Sequence, residues 1–399
     1  QGVSSAASDV YKRQDINSDA LQIASKVLDS VICLNLDGSF NHFLLNEYDV
    51  VVFGDLLEHL KSPQSFLSSI WNIASKDCAL VCCIPNSCHI SIIERLIAGD
   101  MTYDENGLMD RTHLQFLSIP SVYKMMLDNG WLPTVVGKYV STHHNQEFTA
   151  SVVGAARSIG VPISTFLSNS ETYQFIVKAR KINTNCSAKQ VPVSVIVPVN
   201  RPIQYHLNVE RSPGLSEINP QIIPVYGASS AADALKKGIL HSVNDWIIFC
   251  HQDVYFPRGT GKMIINEIAK EQEPDKTLIG FAGIDVYGNN SGTIVDRTSE
   301  FYFDSPQKAS SIDELAIVLN KNSTHKIDES LGWHCWATDL CLANPGCARI
   351  ASIPLFHNSW GERIAPVEFD YSAKILVDKY RNLRSIRTLV KGELVQGPQ

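Results

Sequence analysis

Short apolar runs alternate with amphipathic stretches throughout the first half of the chain. Apolar positions at helical spacing predict a helix over Ala20–Leu28, which Asn17 or Ser18 could cap. Continuous apolar runs predict strands, and residues 54–60 turn from a strand into a helix. The strands lie at Val31–Leu34, Tyr48–Phe53 and Ala79–Ile84. Residues 148–181 are mostly apolar with a helical period. Strands that alternate with helices indicate an α/β fold with a parallel, doubly wound sheet.

The second half shows the same alternation after residues 182–190, a polar segment without period that we interpret as a linker. Strands are predicted at Val191–Val199, Ile222–Val225, Trp246–Cys250, Ile279–Ile284 and Ile350–Phe356. Helices are predicted at Ala231–Leu240, Asp313–Leu319 and Ala365–Leu394, and Ser229 or Ser230 could cap the first of them. The pattern thus divides the chain into a tail over 1–14, a domain over 15–181, the linker, and a domain over 191–399.

Length, charge and cysteine usage narrow the class of protein. A length of 399 residues suggests two or three domains, and a net charge of −7 argues against a general nucleic-acid-binding protein. Ten scattered cysteines without a CxxC pair indicate reduced, mostly buried thiols and neither a disulfide framework nor a zinc site. Because no apolar run reaches the roughly 18 residues that span a bilayer, we expect a cytoplasmic protein, at most in peripheral contact with the inner face of the membrane.

Candidate chemistry is concentrated where the strand Trp246–Cys250 ends. His251 and Asp253 follow that strand directly, and ligands of open α/β sheets bind beyond the carboxyl ends of strands. A carboxylate there can hold a divalent cation, and the cation can hold a diphosphate. The alternative is that Asp253 only caps the next turn.

Three motifs of the first half carry a family resemblance: YDVVVFGDLLEHL (48–60), IPN (84–86) and DRTHLQF (110–116). With them the stretch 15–181 resembles a class I S-adenosylmethionine-dependent methyltransferase of the type 11/23-like group. The resemblance implies that Asp15 binds the cofactor's ribose, that Asn35 faces the adenine, that Gly54 and Asp55 line the methionine end, and that His113 lies on the acceptor side. The alternatives are a helix cap for Asp15, a solvated turn for Glu58-His59 and a structural role for His113.

The first strand and the glycine-rich loop of that family, which would lie upstream of Asp15, are missing from the sequence. Residues 1–14 have no core pattern and resemble translated adapter sequence from assembled environmental reads. We therefore expect the methyltransferase domain to be truncated at its N-terminus, and we expect this chain to bind S-adenosylmethionine weakly or not at all, unlike its intact parent.

The second half resembles a family 2-like glycosyltransferase of the GT-A fold. The resemblance depends on VSVIVPVN (193–200), SSAADALKKGI (229–239), DWIIFCHQDVY (245–255), GTIVDR (292–297) and DESLGWHCWATDLCL (328–342). It implies that Asp253, His251 and His357 hold Mn²⁺ or Mg²⁺ on the donor's diphosphate, and that Asp339 is the general base. Candidates for nucleotide and sugar contacts are Pro198, Asn200, Gly227, Ser229, Ser230, Trp333 and His334. The alternatives are a helix cap for Asp339 and a core position for the aromatic residues.

Together the two resemblances imply a truncated Rossmann-like methyltransferase domain followed by a GT-A α/β domain. We expect a bifunctional enzyme of bacterial surface polysaccharide biosynthesis. It would transfer sugar from a nucleotide-diphospho-sugar to a glycan or lipid-linked glycan acceptor. One alternative is a glycosyltransferase whose methyltransferase-like domain is not catalytic. Another is a sugar-nucleotide-binding module without turnover.

Overall fold

The computed structural model describes most of the chain: residues 12–15, 17–38, 48–141, 145–184, 186–187, 189–297, 300–302, 307–361, 367–383 and 385–395. For 12–15, 300–302 and 395 only the backbone is described. None of the described helices is both long enough and apolar enough to span a bilayer.

The first half forms two separate sheets. Its strands are β1 (Lys12–Asp15), β2 (Ser30–Cys33), β3 (Val50–Gly54), β4 (Ala79–Pro85), β5 (Trp131–Val140) and β6 (Thr172–Lys181). Its helices are α1 (Ser18–Ala24), α2 (Pro63–Ile73), α3 (Ile90–Ala98), α4 (Ile119–Asp128), α5 (Gln146–Ser158) and α6 (Ile163–Ser170). Strands β1 and β2 pair in parallel, and the other four follow the order β3-β4-β6-β5. Within the described residues, no strand joins the β1–β2 pair to β3, whose Val52 is 71% exposed.

Several predictions for the first half are confirmed, and two need correction. Asn17 caps α1, since its side chain accepts hydrogen bonds from the amides of Asp19 and Ala20. However, β1 begins at Lys12, inside the segment that we assigned to the tail. Residues 172–181 form a strand and not a helix, because Phe175, Val177 and Ala179 alternate into the core while β6 pairs with both β4 and β5.

The second half is built on one large mixed sheet. Its strands are β7 (Val193–Val199), β8 (Gln221–Tyr226), β9 (Trp246–Cys250), β10 (Val254–Tyr255), β11 (Leu278–Gly280), β12 (Ala282–Asp285), β13 (Asn290–Asp296), β14 (Glu300–Tyr302), β15 (Gln307–Ile312), β16 (Ala316–Asn320), β17 (Ala348–Ile350), β18 (Leu355–His357), β19 (Ser385–Thr388) and β20 (Gly392–Val395). Its helices are α7 (Pro202–Leu207), α8 (Pro213–Ser216), α9 (Ala231–His241), α10 (Thr260–Ile268), α11 (Trp336–Ala343) and α12 (Val367–Lys379).

The strand order of the large sheet places three carboxyl ends at one edge. The order is β10-β18-β13-β12-β15-β17-β11-β16-β9-β7-β8, with β14 on β13, while β19 and β20 form a separate hairpin. Strands β8, β7 and β9 are parallel, so Gly227, Asn200 and His251 follow them at the same edge. Strand β16 runs antiparallel to β9 and therefore starts at that edge, where the amide of His251 donates to the Leu315 carbonyl oxygen.

Two helix predictions for the second half are wrong. Residues 316–320 form a fully buried strand between β9 and β11, because the apolar run there is completed by hydrogen bonds to both neighbours. The predicted C-terminal helix ends at Lys379, and the hairpin β19–β20 follows it. The Ile279–Ile284 run is divided into β11 and β12, which have different partners.

The two halves share a hydrophobic core. Tyr255, Val295 and Phe356 of the second half belong to the same buried cluster as the residues of α2 and α4. The rings of Tyr123 and Phe356 are 5.6 Å apart. The Tyr255 hydroxyl also donates to Asp128 Oδ2 over 2.7 Å.

Candidate functional site

A cluster of two histidines and one aspartate lies at the edge where β9 ends. We call His251, Asp253 and His357 the strand-edge cluster. One ligand atom of each lies within 4.8 Å of those of the other two, and all three side chains are partly buried. Asp253 and His357 meet because β10, directly after Asp253, pairs antiparallel with β18, which ends at His357. The sequence analysis proposed these three residues as metal ligands, and the structure brings them together.

The charges of the strand-edge cluster are coupled. His357 Nε2 is 3.5 Å from Asp253 Oδ1, and His357 Nδ1 is 3.7 Å from Asp296 Oδ2. Burial opposes a charge on each group, but His357 and His251 outweigh it and lower the pKa of Asp253. Asp253 and Asp296 likewise outweigh burial and raise the pKa of His357, whereas burial lowers the pKa of His251. The cluster can thus hold a proton or a cation between carboxylates.

Hydrogen bonds fix the loops around this cluster. Gln252 Oε1 accepts from the amides of Asn200 and Arg201 at 3.1 and 2.8 Å, and Gln252 Nε2 donates to Asn200 Oδ1 over 2.5 Å. These bonds tie the end of β7 to the end of β9. On the other side of the cluster, the backbone N–H of Asn358 donates to the Asp253 carbonyl oxygen, and Arg297 Nε donates to Asn358 Oδ1. The polar ends of β7, β9, β13 and β18 are therefore held in one network.

The residues expected to contact a nucleotide follow β7 and β8. Pro198 pairs with Val225 inside the sheet, and Gly227 is exposed with a φ of 63°. Ser230 caps α9 by accepting from the Asp233 amide, as predicted. Ser229 is exposed, and its amide and hydroxyl donate to Asp233 Oδ2. The serine pair therefore builds the start of α9, and the edge beside it is formed by Asn200 and Gly227.

Asp339 does not have the surroundings of a general base. It is 2% exposed, Lys379 Nζ lies 2.8 Å from its Oδ1, and the Tyr380 hydroxyl donates to it over 2.9 Å. A base must contact the acceptor hydroxyl, and this buried ion pair does not present the carboxylate to one. The role of Asp339 as general base stays a prediction, and the structure shows its carboxylate in a buried ion pair. Its neighbour Thr338 is also buried and bonded to Ser311.

Sequence reasoning missed Glu314, a mostly buried carboxylate at the same edge. Its Oε2 is 3.9 Å from His334 Nδ1. Burial lowers the pKa of His334, and the charge of His251 lowers it further. Burial raises the pKa of Glu314 well above its usual value, although the backbone amides of Cys335, Trp336 and Ala337 partly offset this. We overlooked Glu314 because it fell in a predicted helix, where one face is normally solvated.

The aromatic residues near α11 have divided roles. Trp336 is buried and packs on Phe249 with ring centroids 5.5 Å apart, so it belongs to the core. Trp333 is 38% exposed, and His334 packs against Phe369. Of this group, Trp333 and His334 are the residues that a ligand could reach.

The predicted cofactor residues of the first half follow the ends of its parallel strands. Asp15 ends β1, and its side chain lies outside the described residues. Asn35 is exposed after β2 and accepts from the Asp37 amide. Gly54 and Asp55 are exposed at the end of β3, where Asp55 has a φ of 48°, a conformation that non-glycine residues rarely adopt. Gln174 Nε2 donates to Asp55 Oδ1 over 2.7 Å.

Glu58, His59 and His113 form a second cluster beside Asp55, which we call the Glu-His-His cluster. One ligand atom of each lies within 4.8 Å of those of the other two. Glu58 is 0% exposed, so the alternative of a solvated turn is wrong for it. Burial, together with the charge of Asp55, raises the pKa of Glu58 to about 7, although a backbone hydrogen bond partly offsets this. His113, which we placed on the acceptor side, stacks edge-on against His59 with ring centroids 4.9 Å apart.

Comparisons with known proteins give only distant likenesses. No family model matches the chain, and no curated protein matches it. The chain is similar to three solved S-adenosylmethionine-dependent methyltransferases, and each similarity covers 43% of the present chain. The Archaeoglobus fulgidus structure has 17% identity, 75% coverage of its chain and a TM-score of 0.29. The Thermotoga maritima structure has 13% identity, 72% coverage of its chain and a TM-score of 0.30. The Mesorhizobium loti structure has 11% identity, 80% coverage of its chain and a TM-score of 0.28. Likenesses at these identities and TM-scores do not assign an activity to the chain.

Proposed function

We propose that the second half transfers a sugar from a nucleotide-diphospho-sugar to a glycan acceptor, as a metal-dependent glycosyltransferase of bacterial surface polysaccharide biosynthesis. The observation that carries this proposal is the convergence of His251, Asp253 and His357 at the carboxyl edge of β7–β9. Open α/β sheets bind phosphorylated ligands at that edge. The exposed loop at Gly227 and the exposed Trp333 leave room for nucleotide and sugar contacts.

The donor set fits a divalent first-row metal. Two imidazoles and one carboxylate suit Mn²⁺ better than Mg²⁺, which prefers oxygen ligands. His357 has the second partner that metal-binding histidines commonly use, because its Nδ1 faces Asp296 while its Nε2 faces Asp253. When bound, the cation would neutralise charge on the leaving diphosphate. The Gln252 bridge would keep the ends of β7 and β9 at a fixed distance around the donor.

We propose Glu314 in place of Asp339 as the general base. Its carboxyl lies 3.9 Å from His334 Nδ1, and the charge of His251 acts on the same ring. Burial raises the pKa of Glu314, and a carboxylate with a raised pKa is a stronger base once it is ionised. Deprotonation of the acceptor hydroxyl at Glu314 would then accompany attack on the sugar.

For the first half we propose methyl transfer from S-adenosylmethionine to the same glycan or its sugar precursor. The specific observation is the exposed Gly54-Asp55 turn at the end of β3, with Asp55 in a left-handed conformation beside Glu58. Strained residues of this kind are concentrated at binding sites. Isothermal titration calorimetry with S-adenosylmethionine at millimolar concentration, where weak binding can be measured, tests this proposal. We expect weak binding to the chain and at least tenfold weaker binding to Asp55→Ala, and equal measurable binding to both proteins would contradict the assigned site.

The experiment for the glycosyltransferase is a panel of UDP-, GDP- and dTDP-sugars with Mn²⁺ or with Mg²⁺, measured by release of the nucleoside diphosphate. We expect turnover with at least one donor, and loss of more than about 100-fold in Asp253→Asn and Glu314→Gln. Asp245→Asn is the matched control, since Asp245 lies at the opposite end of β9 and is paired only with Lys321 among the described residues.

The outcomes separate the alternatives. Equal turnover in Asp253→Asn and in the control would refute the site. Donor binding without turnover in any protein would indicate a sugar-nucleotide-binding module. If Asp339→Asn abolishes turnover while Glu314→Gln does not, Asp339 is the general base, as the sequence predicted, and the proposal of Glu314 is wrong.

A further inference from the structure

The Glu-His-His cluster has a backbone arrangement that holds it in place. Glu58 and His59 lie in a single turn after β3, and His113 comes from the loop before α4. The Glu58 carbonyl oxygen accepts from the amides of Leu114 and Gln115 at 2.7 and 3.0 Å. These two hydrogen bonds hold the segment that carries His113 against the turn that carries Glu58 and His59. The backbone therefore places the three side chains next to one another.

Both histidines in this cluster place Nδ1 within hydrogen-bond distance of a backbone carbonyl oxygen. His59 Nδ1 lies 3.2 Å from the Thr112 carbonyl oxygen, and His113 Nδ1 lies 3.2 Å from the Leu108 carbonyl oxygen. A carbonyl oxygen only accepts, so a neutral ring meets it with a protonated Nδ1. His59 Nδ1 also lies 3.1 Å from the Thr112 hydroxyl, which donates to Asp110 Oδ1 and can therefore accept from the ring. In this tautomer Nε2 of both rings keeps a free lone pair. Histidines that bind metals typically donate their other nitrogen to a carbonyl oxygen or a carboxylate in this way.

Glu58 supplies a second, independent observation. Its side chain is fully buried, and within the described part of the chain neither carboxylate oxygen has a hydrogen-bond partner. No lysine or arginine pairs with it among the described residues either. Buried carboxylates normally have such a partner, because an unsatisfied buried charge destabilises the fold. A cation between Glu58 and the two imidazoles would satisfy it.

We propose that Glu58, His59 and His113 bind a divalent transition-metal ion of the Zn²⁺ or Mn²⁺ type. Two imidazole nitrogens and one carboxylate form a donor set for these ions and leave coordination positions open. The ion would lie beside the exposed Asp55 and would offset the negative charges of Asp55 and Glu58. The proposal does not depend on the sugar-transfer activity, because it concerns a different cluster in the other half of the chain.

Cobalt(II) binding to the full 399-residue chain tests the proposal, with visible absorption of the bound ion and elemental analysis after desalting as readouts. The Asp253→Asn background removes a ligand from the strand-edge cluster and isolates the second site. In that background we expect one equivalent of Co²⁺. We expect no bound Co²⁺ after adding Glu58→Gln, and at least tenfold weaker binding after adding His59→Gln. Glu94→Gln, on the exposed face of α3, is the charge-matched control and should retain the ion.

Circular dichroism and the thermal midpoint establish that each variant is folded before metal is added. Glu58→Gln should fold, because it removes a buried charge without changing the volume of the side chain. His59→Gln provides the second test at a partly exposed position. The proposal is refuted if Asp253→Asn binds no Co²⁺, or if the folded Glu58→Gln and His59→Gln variants both retain one equivalent with unchanged affinity.

Discussion

The ion pair of Asp339 and Lys379 makes an asymmetric prediction about stability. Lys379→Met leaves the Asp339 carboxylate, 2% exposed, without its counter-charge. Asp339→Asn leaves Lys379, whose side chain is 37% exposed and still bonded to Asp328 over 2.8 Å. A buried charge that loses its partner is destabilising, whereas a half-solvated lysine with a second partner is not. The lysine variant should therefore be the less stable of the two.

The magnitude follows from the burial of each partner. Breaking a fully buried pair costs about 3–5 kcal/mol. Solvent around Lys379 and the remaining Tyr380 hydrogen bond reduce this, so we expect about 2 kcal/mol for Lys379→Met. Asp339→Asn should cost about 1 kcal/mol, the value of a lost charged hydrogen bond. At roughly 2–4 °C per kcal/mol, the midpoints should fall by about 4–8 °C and about 2–4 °C.

The assay is urea unfolding followed by tryptophan fluorescence, with thermal midpoints as a second measure. The double variant Lys379→Met with Asp339→Asn completes the cycle. It should be more stable than Lys379→Met alone by about 1 kcal/mol, because the unpaired charge is gone. If the two single variants are equally stable and their effects add, Asp339 is not held by Lys379. Its assignment as the general base would then have to be reconsidered.

Two further predictions concern packing. Gly238→Ala on α9 should destabilise the fold by about 1–3 kcal/mol, since the new Cβ would lie 2.3 Å from Ile196 Cγ2 in the core. Gly154→Ala on α5 is the control. It should stabilise the fold by about 0.5–1 kcal/mol, because nothing lies within 4 Å of its Cβ. Equal effects of the two in urea unfolding would contradict this packing. Tyr255→Phe should cost about 1–2 kcal/mol by removing a donor from the mostly buried Asp128 carboxylate, while Tyr287→Phe at an 81% exposed ring should change nothing. An unchanged urea midpoint for Tyr255→Phe would mean that this bond between the halves does not contribute to stability.

The sequence predicted elements well where one run of residues decides the structure. Trp246–Cys250 has the predicted bounds because polar residues flank this short, wholly apolar run on both sides, a pattern that is typical of a buried strand. Residues 316–320 are just as apolar, but helix and strand cannot be told apart there without knowing that β9 and β11 lie on both sides. In β6 the period-two burial of Phe175, Val177 and Ala179 was present in the sequence, and our helical interpretation overlooked it.

The candidate site shows the same division between local and distant information. His251 and Asp253 could be predicted because they directly follow an identifiable strand. The ion pair of Asp339 could not be predicted, because the lysine that neutralises it lies 40 residues later in the sequence, on α12. Glu58 and His113 are also far apart in sequence, and only the pairing of the Leu114 amide with the Glu58 carbonyl oxygen brings them together. Side chains whose function depends on a distant partner are the ones that pattern alone does not resolve.

The shared core explains how the first half can matter to the proposed sugar transfer even without the proposed methyl transfer. Successive side chains of a strand point to opposite faces. On β18, Phe356 enters the core next to Tyr123 of α4, so His357 points the other way, into the strand-edge cluster. On β13, Val295 belongs to the same core, and the next residue, Asp296, faces His357. The packing of α4 therefore supports two strands that position the cluster. The first half would give this support even without chemistry of its own, because the cores of the two halves are continuous.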